Sequence, residues 1–324
     1  MDRRGTATGE LATIPAVLAD RARRDGARVA VVTPQRRQLT YAELAVAVQR
    51  VTRAMMARSV VRPGDRVAIW APNGARWVIA ALGALGAGAT LVPISTRLRG
   101  CEAADVLARS RCRMLLTSGD FLGNDYVGML RESGRALPDL RTTILLDDIR
   151  DEGLDVLSWP RFLALGTGVP VREAEARSSS VDPEAVSDIL FTSGTTGVPK
   201  GVPATHRQTI EAFTRWADAV SLSGDDRYLL VNPFAHTFGY KAGIIACLLR
   251  GATMVPVQRF DPDQALDVVE RERITVLTGP PTLRIHGVYL GVQGAGPHHG
   301  PGPAIPPVSG PRRRRARADH RADG

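Results

Sequence analysis

Residues Asp188-Ile189-Leu190-Phe191-Thr192-Ser193-Gly194-Thr195-Thr196-Gly197-Val198-Pro199-Lys200-Gly201 are the stretch on which the reading of this chain turns. Asp188–Thr192 reads as a strand running into a glycine-rich loop, and a helix-compatible segment follows. Glycines let a backbone approach a ligand closely and turn several N–H groups toward one point. Thr192, Ser193, Thr195 and Thr196 offer hydroxyls to phosphate oxygens, and Lys200 adds a positive charge. The combination predicts phosphate binding. It is not a Walker A loop, because Lys200 follows Pro199 and precedes Gly201 where that pattern needs Gly-Lys and then Ser or Thr. For a generic Gly/Ser/Thr stretch the competing reading is a plain surface turn.

Outward from this loop the chain alternates between strand and helix patterns. Thr40 and Glu43 have capping-box spacing, and Leu44, Val48, Val51 and Met55 follow at helical intervals. Pro63-Gly64-Asp65 marks a turn into a buried strand, Arg66–Trp70. The small-residue segment Ala75–Gly86 predicts a close-packed helix, with strands at Thr90–Ile94, Cys112–Thr117 and Thr142–Leu146. Beyond the loop, Thr205 and Gln208 form a second capping box opening a helix to about Val220. Further strands are expected at Tyr228–Asn232, Ala252–Val257 and Ile274–Thr278, and helices at Gly239–Leu249 and from Pro262 to about Glu272. Strands alternating with helices of this length imply an α/β fold with largely parallel sheets.

The bulk composition excludes several classes. Hydrophobic residues make up 44% of the chain, enough for a sizeable core, yet no run of 18 apolar residues exists to span a membrane. The polar residues 1–10 have no apolar signal core and are expected to be disordered, which points to the cytoplasm. Cys101, Cys112 and Cys247 share no metal-ligand spacing and read as reduced thiols. Of the net charge of +9, residues 284–324 hold seven Arg and two Asp, a net of +5, leaving +4 for residues 1–283. That remainder is mild and scattered, so nucleic-acid binding is not expected. Only two lysines, Lys200 and Lys241, stand among 40 arginines. Where Arg is the habitual cation, a Lys can mark a need for a compact ammonium. Lys241 reads otherwise as a solvated charge at a helix start, and His206 as a residue at the start of its helix.

The string Thr192–Gly201 resembles the AMP-binding signature of the adenylate-forming superfamily, which includes acyl-CoA synthetases, luciferases and peptide-synthetase adenylation domains. The resemblance extends through Leu39–Leu44, Gly64–Ala68, Ala71-Pro72-Asn73, Gly83–Pro93, Pro233–Gly239 and Gly279–Thr282, about residues 10–283 in all. It implies stacked, largely parallel sheets with flanking helices, forming an incomplete large N-terminal domain of the adenylate-forming fold over residues 11–283. It also implies a two-step reaction: a carboxylate attacks the α-phosphate of ATP, and the thiol of coenzyme A then displaces AMP. Under it, Thr192, Ser193, Gly194, Thr195, Thr196, Gly197 and Lys200 hold the β- and γ-phosphates, with the Thr192 hydroxyl near Mg2+.

His236, Phe238 and Gly239 would line the pocket for a small-molecule carboxylic acid; from the residues alone, a lone His after an apolar strand is more often structural. Ala235 stands where relatives often carry a bulkier side chain, which implies a wide pocket. Asn232–Gly251 is most similar to actinobacterial acyl-CoA ligases acting on bulky or steroid-derived carboxylates. No Asp occurs in Val231–Gly243 to bind a substrate amino group, which disfavours a peptide-synthetase domain. An adenylating enzyme with a carrier-protein acceptor and a non-catalytic or regulatory remnant are the alternatives.

Beyond about Leu283 the pattern changes. Residues 284–324 carry eight Gly, six Pro and four of the six His with no hydrophobic period, so disorder is expected. A linker, a basic arm through Arg312–Arg315 and out-of-frame translation of GC-rich coding sequence compete, and the last fits the composition best. The adenine-binding stretch, the Glu for Mg2+, the Asp for ribose and the mobile C-terminal domain with its Lys are not recognisable. The isolated chain is therefore expected to bind ATP weakly and to show little ligase activity.

Overall fold

The computed structural model describes residues 12–33, 36–57, 60–147, 156–192 and 199–279. The expectations for residues 1–10 and 284–324 lie outside the described residues, as do Ser193, Gly194, Thr195, Thr196 and Gly197.

Strands in chain order are β1 (Val29–Val32), β2 (Gln38–Thr40), β3 (Arg66–Trp70), β4 (Thr90–Pro93), β5 (Cys112–Thr117), β6 (Asp120–Phe121) and β7 (Asn124–Asp125). They continue with β8 (Thr142–Leu145), β9 (Val156–Ser158), β10 (Val186–Thr192), β11 (Lys200–Thr205), β12 (Arg227–Leu230), β13 (Thr253–Pro256) and β14 (Val276–Leu277). A seven-stranded sheet has the order β11-β10-β4-β3-β5-β8-β9, and a five-stranded sheet the order β14-β12-β13-β1-β2. All neighbours in these two sheets are parallel except the β10/β11 and β1/β2 pairs. The largely parallel α/β architecture expected from the sequence is thus present.

Period-two alternation assigns each sheet face. Val67 and Ile69 of β3, and Val31, Tyr228 and Met254 of the other sheet, enter one large core with the helices Ile14–Arg24, Tyr41–Met56, Ala75–Gly86 and His206–Ala219. Ala68 and Trp70 face the opposite way into a second core under the helix Gly100–Arg109. Val32, Leu229 and Val255 form a third under the helix Pro262–Arg271. Helices therefore lie between the sheets and on both outer faces.

The central layer is tight because its residues are small. A Cβ on Gly83 would lie 2.4 Å from Val51 Cγ1, and one on Gly86 would lie 2.7 Å from Thr52 Oγ1. Both partners belong to the helix Tyr41–Met56, whose predicted capping box is formed. Glu43 N–H donates to Thr40 Oγ1 at 3.2 Å, and Thr40 N–H donates to Glu43 Oε2 at 2.8 Å. Among the described residues no helix is long and apolar enough to cross a membrane.

Candidate active site

In open parallel sheets, ligands bind beyond the carboxyl ends of the strands. Two segments singled out by the sequence leave such ends: residues 193–198 follow β10, and residues 231–236 follow β12. The first corrects the expectation of a strand, loop and helix. β10 pairs with the antiparallel β11 in place of the helix-compatible segment read directly after the loop, and the helix His206–Ala219 begins at the Thr205 capping box, as expected. Among the described residues no helix starts between Thr192 and Thr205, so Lys200 stands at the start of a strand. Thr192 and Lys200 are register partners in the pair nearest the connecting segment, both solvent-exposed.

Arg109 braces this stem, a role no local pattern revealed. Its Nη1 donates to the Pro199 carbonyl at 2.7 Å, and its guanidinium lies 5.6 Å from the centre of the Phe191 ring.

The second segment turns sharply. His236 N–H donates to the Pro233 carbonyl at 3.1 Å, and Tyr240 N–H donates to the His236 carbonyl at 2.9 Å. Gly239 makes the turn possible, since a Cβ there would sit 2.2 Å from the Pro233 oxygen and 2.5 Å from the Asn232 oxygen. Phe234 and Ala235 are buried, whereas His236 and Phe238 are exposed. The Phe238 ring stacks edge-on against Trp216 with centroids 6.0 Å apart. Protein atoms packed about the His236 imidazole, and secondly the Arg97 guanidinium, hold its pKa below the usual value. His236 is accordingly neutral at pH 7, with aromatic and acceptor character.

Lys241 is the main surprise. It is not a solvated helix-start charge: it is buried, and its Nζ lies 2.8 Å from Oδ2 of Asp188, which is fully buried on β10. The Lys241 ammonium also donates to Thr209 Oγ1 at 3.2 Å, and Ser187 Oγ donates to Asp188 Oδ1 at 2.7 Å. Burial pushes the Asp188 carboxyl above its ordinary range, while Lys241 and Ser187 oppose the shift. Lys241 sits in a π-helical turn, Tyr240–Ile245, a distortion frequent at functional sites. The pair thus ties the strand that delivers the glycine-rich loop to the helix that follows His236.

His206 is structural. Its buried Nδ1 accepts from Ile14 N–H at 3.3 Å, and burial lowers its pKa to about 4. Among the described residues no cluster of three His, Cys, Asp or Glu could hold a metal ion.

A family model for the AMP-binding enzyme matches residues 18–291. The chain belongs to the AMP-binding enzyme family. Residues 18–291 take in both the hairpin loop and the His236 turn, so both lie within the AMP-binding homology. The chain is 46% identical over 274 residues to a 3-[(3aS,4S,7aS)-7a-methyl-1,5-dioxo-octahydro-1H-inden-4-yl]propanoyl:CoA ligase of Mycobacterium tuberculosis, covering 85% of this chain and 52% of that protein. It is 44% identical to the Rhodococcus jostii ligase of the same description, covering 85% and 53%. It thus spans about half the length of these AMP-binding relatives. Among solved structures, the inhibitor-bound N-terminal domain of FACL13 from Mycobacterium tuberculosis superposes with a TM-score of 0.66 at 25% identity, covering 82% of this chain and 62% of that one.

Proposed function

We propose that this chain supplies the nucleotide loop and acyl pocket of an ATP-dependent acyl-CoA ligase, within a domain covering about residues 11–283. The observation that carries the reading is the 46% identity to a propanoyl:CoA ligase across 274 residues. The acid activated is a bulky, largely apolar carboxylate, consistent with a fused bicyclic propanoyl group in the names of both relatives. The small side chain of Ala235, next to the exposed His236, would be the feature that admits it.

Within this reading Thr192, Ser193, Gly194, Thr195, Thr196, Gly197 and Lys200 cradle the β- and γ-phosphates of ATP. The hairpin suits that task, since it brings the Thr192 hydroxyl and the Lys200 ammonium to opposite sides of one loop mouth. Thr192 would give Mg2+ a single hydroxyl, and phosphate oxygens and water would complete the shell, as this ion prefers. Activation of the acid on ATP creates the leaving group that the thiol of coenzyme A displaces. His236, Phe238 and Gly239 shape the acyl side.

Calorimetric titration of the 324-residue chain with 5′-O-[N-(3-cyclohexylpropanoyl)sulfamoyl]adenosine, a mimic of an acyl-adenylate, tests the proposal. Binding is expected, and Lys200→Ala is expected to weaken ATP affinity by about tenfold, the loss of one charge-assisted contact. ATP binding that ignores Lys200→Ala and Thr192→Val alike would remove the loop from the site. Ala235→Phe should weaken the cyclohexyl mimic more than its acetyl counterpart; equal losses would disprove the wide-pocket reading.

A further inference from the structure

Asn73 lies on the chain leaving β3 and is buried. Its side chain makes three hydrogen bonds, all to the backbone of one distant segment. Nδ2 donates to the Asn232 carbonyl at 2.9 Å and to the Leu230 carbonyl at 3.3 Å. Oδ1 accepts from Phe234 N–H at 2.8 Å. Residues 231–235 have left β12 and joined no helix or strand, so their main-chain groups need partners from elsewhere. One carboxamide meets that need with both of its functions. Asp at this position would lack the two donors, and an aliphatic residue would take the partner from the Asn232 carbonyl and Phe234 N–H, while the Leu230 carbonyl would keep Val257 N–H at 3.1 Å.

The geometry has a longer reach than a local cap. β3 belongs to the seven-stranded sheet and β12 to the five-stranded sheet, so Asn73 ties together the carboxyl ends of the two. The seven-stranded sheet carries the hairpin loop through β10, and the five-stranded sheet carries the His236 turn. The ring of Trp77, one helical turn beyond Asn73, packs edge-on against Phe234 with centroids 5.1 Å apart. Asn232 Nδ2 reaches on to the Thr278 carbonyl at 2.9 Å. The segment is held on both sides, and Asn73 is its one side-chain link to the other sheet among the hydrogen bonds of the described residues.

We propose that Asn73 is a positioning residue for the acyl side of the site: its carboxamide sets where Phe234–His236 sits relative to the sheet bearing the nucleotide loop. This rests on the acyl-CoA ligase reading above. Displacement of a positioning group by about 1 Å can cost about a hundredfold in an organised site. The loss should fall on the acyl group and spare the nucleotide, because Asn73 makes no hydrogen bond to β10 or β11.

Two measurements on the 324-residue chain test this. The first is amide hydrogen exchange of the free wild-type protein, with no ligand. Phe234 N–H, outside any regular element, is expected to exchange as slowly as core amides of β3; exchange as fast as exposed turns would overturn the proposal. The second compares Asn73→Ala with Thr117→Ala. Thr117 Oγ1 donates to the Trp70 carbonyl at 2.8 Å, so this control loses a buried hydrogen bond of the same sheet away from the His236 turn. Asn73→Ala is expected to weaken the cyclohexylpropanoyl sulfamoyl-adenosine by about tenfold or more while changing ATP affinity less than about twofold. Thr117→Ala should change the two alike. Equal losses of both ligands in Asn73→Ala, or the same pattern in both variants, would overturn the proposal. If the wild-type chain binds neither ligand, the ligase reading fails for this chain, and the exchange rate of Phe234 alone decides whether Asn73 holds the segment. The exchange arm decides equally if Asn73→Ala does not fold.

Discussion

At the residue scale the site depends on two positions where a small change meets rigid surroundings. Gly239 has ordinary helical torsions, φ −75° and ψ −45°, so it is not needed for a left-handed backbone. It is needed because the space for a Cβ is occupied by the carbonyls of Asn232 and Pro233. Those are main-chain atoms and cannot swing aside. Gly239→Ala should therefore cost about 1–3 kcal/mol, the range for overpacking, read as a lower urea midpoint with an unchanged m-value. His206 offers a pH test. Free imidazole titrates near 6.5, and the buried ring titrates at about 4. The folded chain keeps His206 neutral where the unfolded chain protonates it, so its stabilising contribution is whole above about pH 6.5 and is lost as pH falls to about 4. The shift corresponds to about 3 kcal/mol. His206→Asn keeps an acceptor for Ile14 N–H and cannot titrate. Its unfolding free energy should fall less between about pH 7 and about pH 4.5 than that of the parent chain, and an identical fall would refute the assignment.

At the element scale, how much could be read from the sequence depended on whether the signal was local. Capping boxes at Thr40 and Thr205 are contained in four residues each, and both helices form where the pattern put them. The strands Arg66–Trp70 and Cys112–Thr117 were legible as apolar runs after turn signals, and both are found with those bounds. β11 was not legible, because Lys200–Thr205 is an exposed edge strand carrying Gly201 and Pro203, residues that weaken a strand pattern in the sequence. The helix Ile14–Arg24 was missed although Thr13 caps it and Pro15 lies in its first turn. The Asp188–Lys241 pair was beyond reach, since no periodicity links residues so far apart in sequence. Lys241 was visible only as an odd lysine among arginines. The pair makes a prediction of its own. Lys241→Met strands a buried carboxylate and should cost about 3–5 kcal/mol. Adding Asp188→Leu should restore most of it, because an apolar pair avoids the desolvation penalty altogether. Additive losses in the double variant, measured by urea unfolding, would show that the two side chains act independently.

At the scale of the whole molecule, the helical layer between the sheets decides whether the two sheets stand or fall together. Helices Tyr41–Met56 and Ala75–Gly86 share one core with the inner faces of both sheets. Their contact is set by Gly83 against Val51, where an added methyl would fall 2.4 Å from Val51 Cγ1 and 3.3 Å from the Val48 carbonyl. Gly83→Ala cannot be absorbed by turning one side chain, because the helices themselves must separate. The expected cost is about 1–3 kcal/mol. Since both sheets pack on this layer, the loss should appear in a single transition. Far-ultraviolet circular dichroism and tryptophan fluorescence should then shift to the same lower urea midpoint. Val51→Ala in the same chain removes Cγ1, the nearest atom at 2.4 Å, while the Val51 Cβ at 2.6 Å stays, so the clash is relieved in part. The double variant should therefore regain part of the stability, although Val51→Ala alone is destabilising through lost burial. That sign reversal separates helix approach from simple core loss. If Val51→Ala lowers the midpoint by the same amount in the parent chain and in the Gly83→Ala background, the two helices are not in contact as described. If circular dichroism and fluorescence separate, the sheets unfold as independent layers.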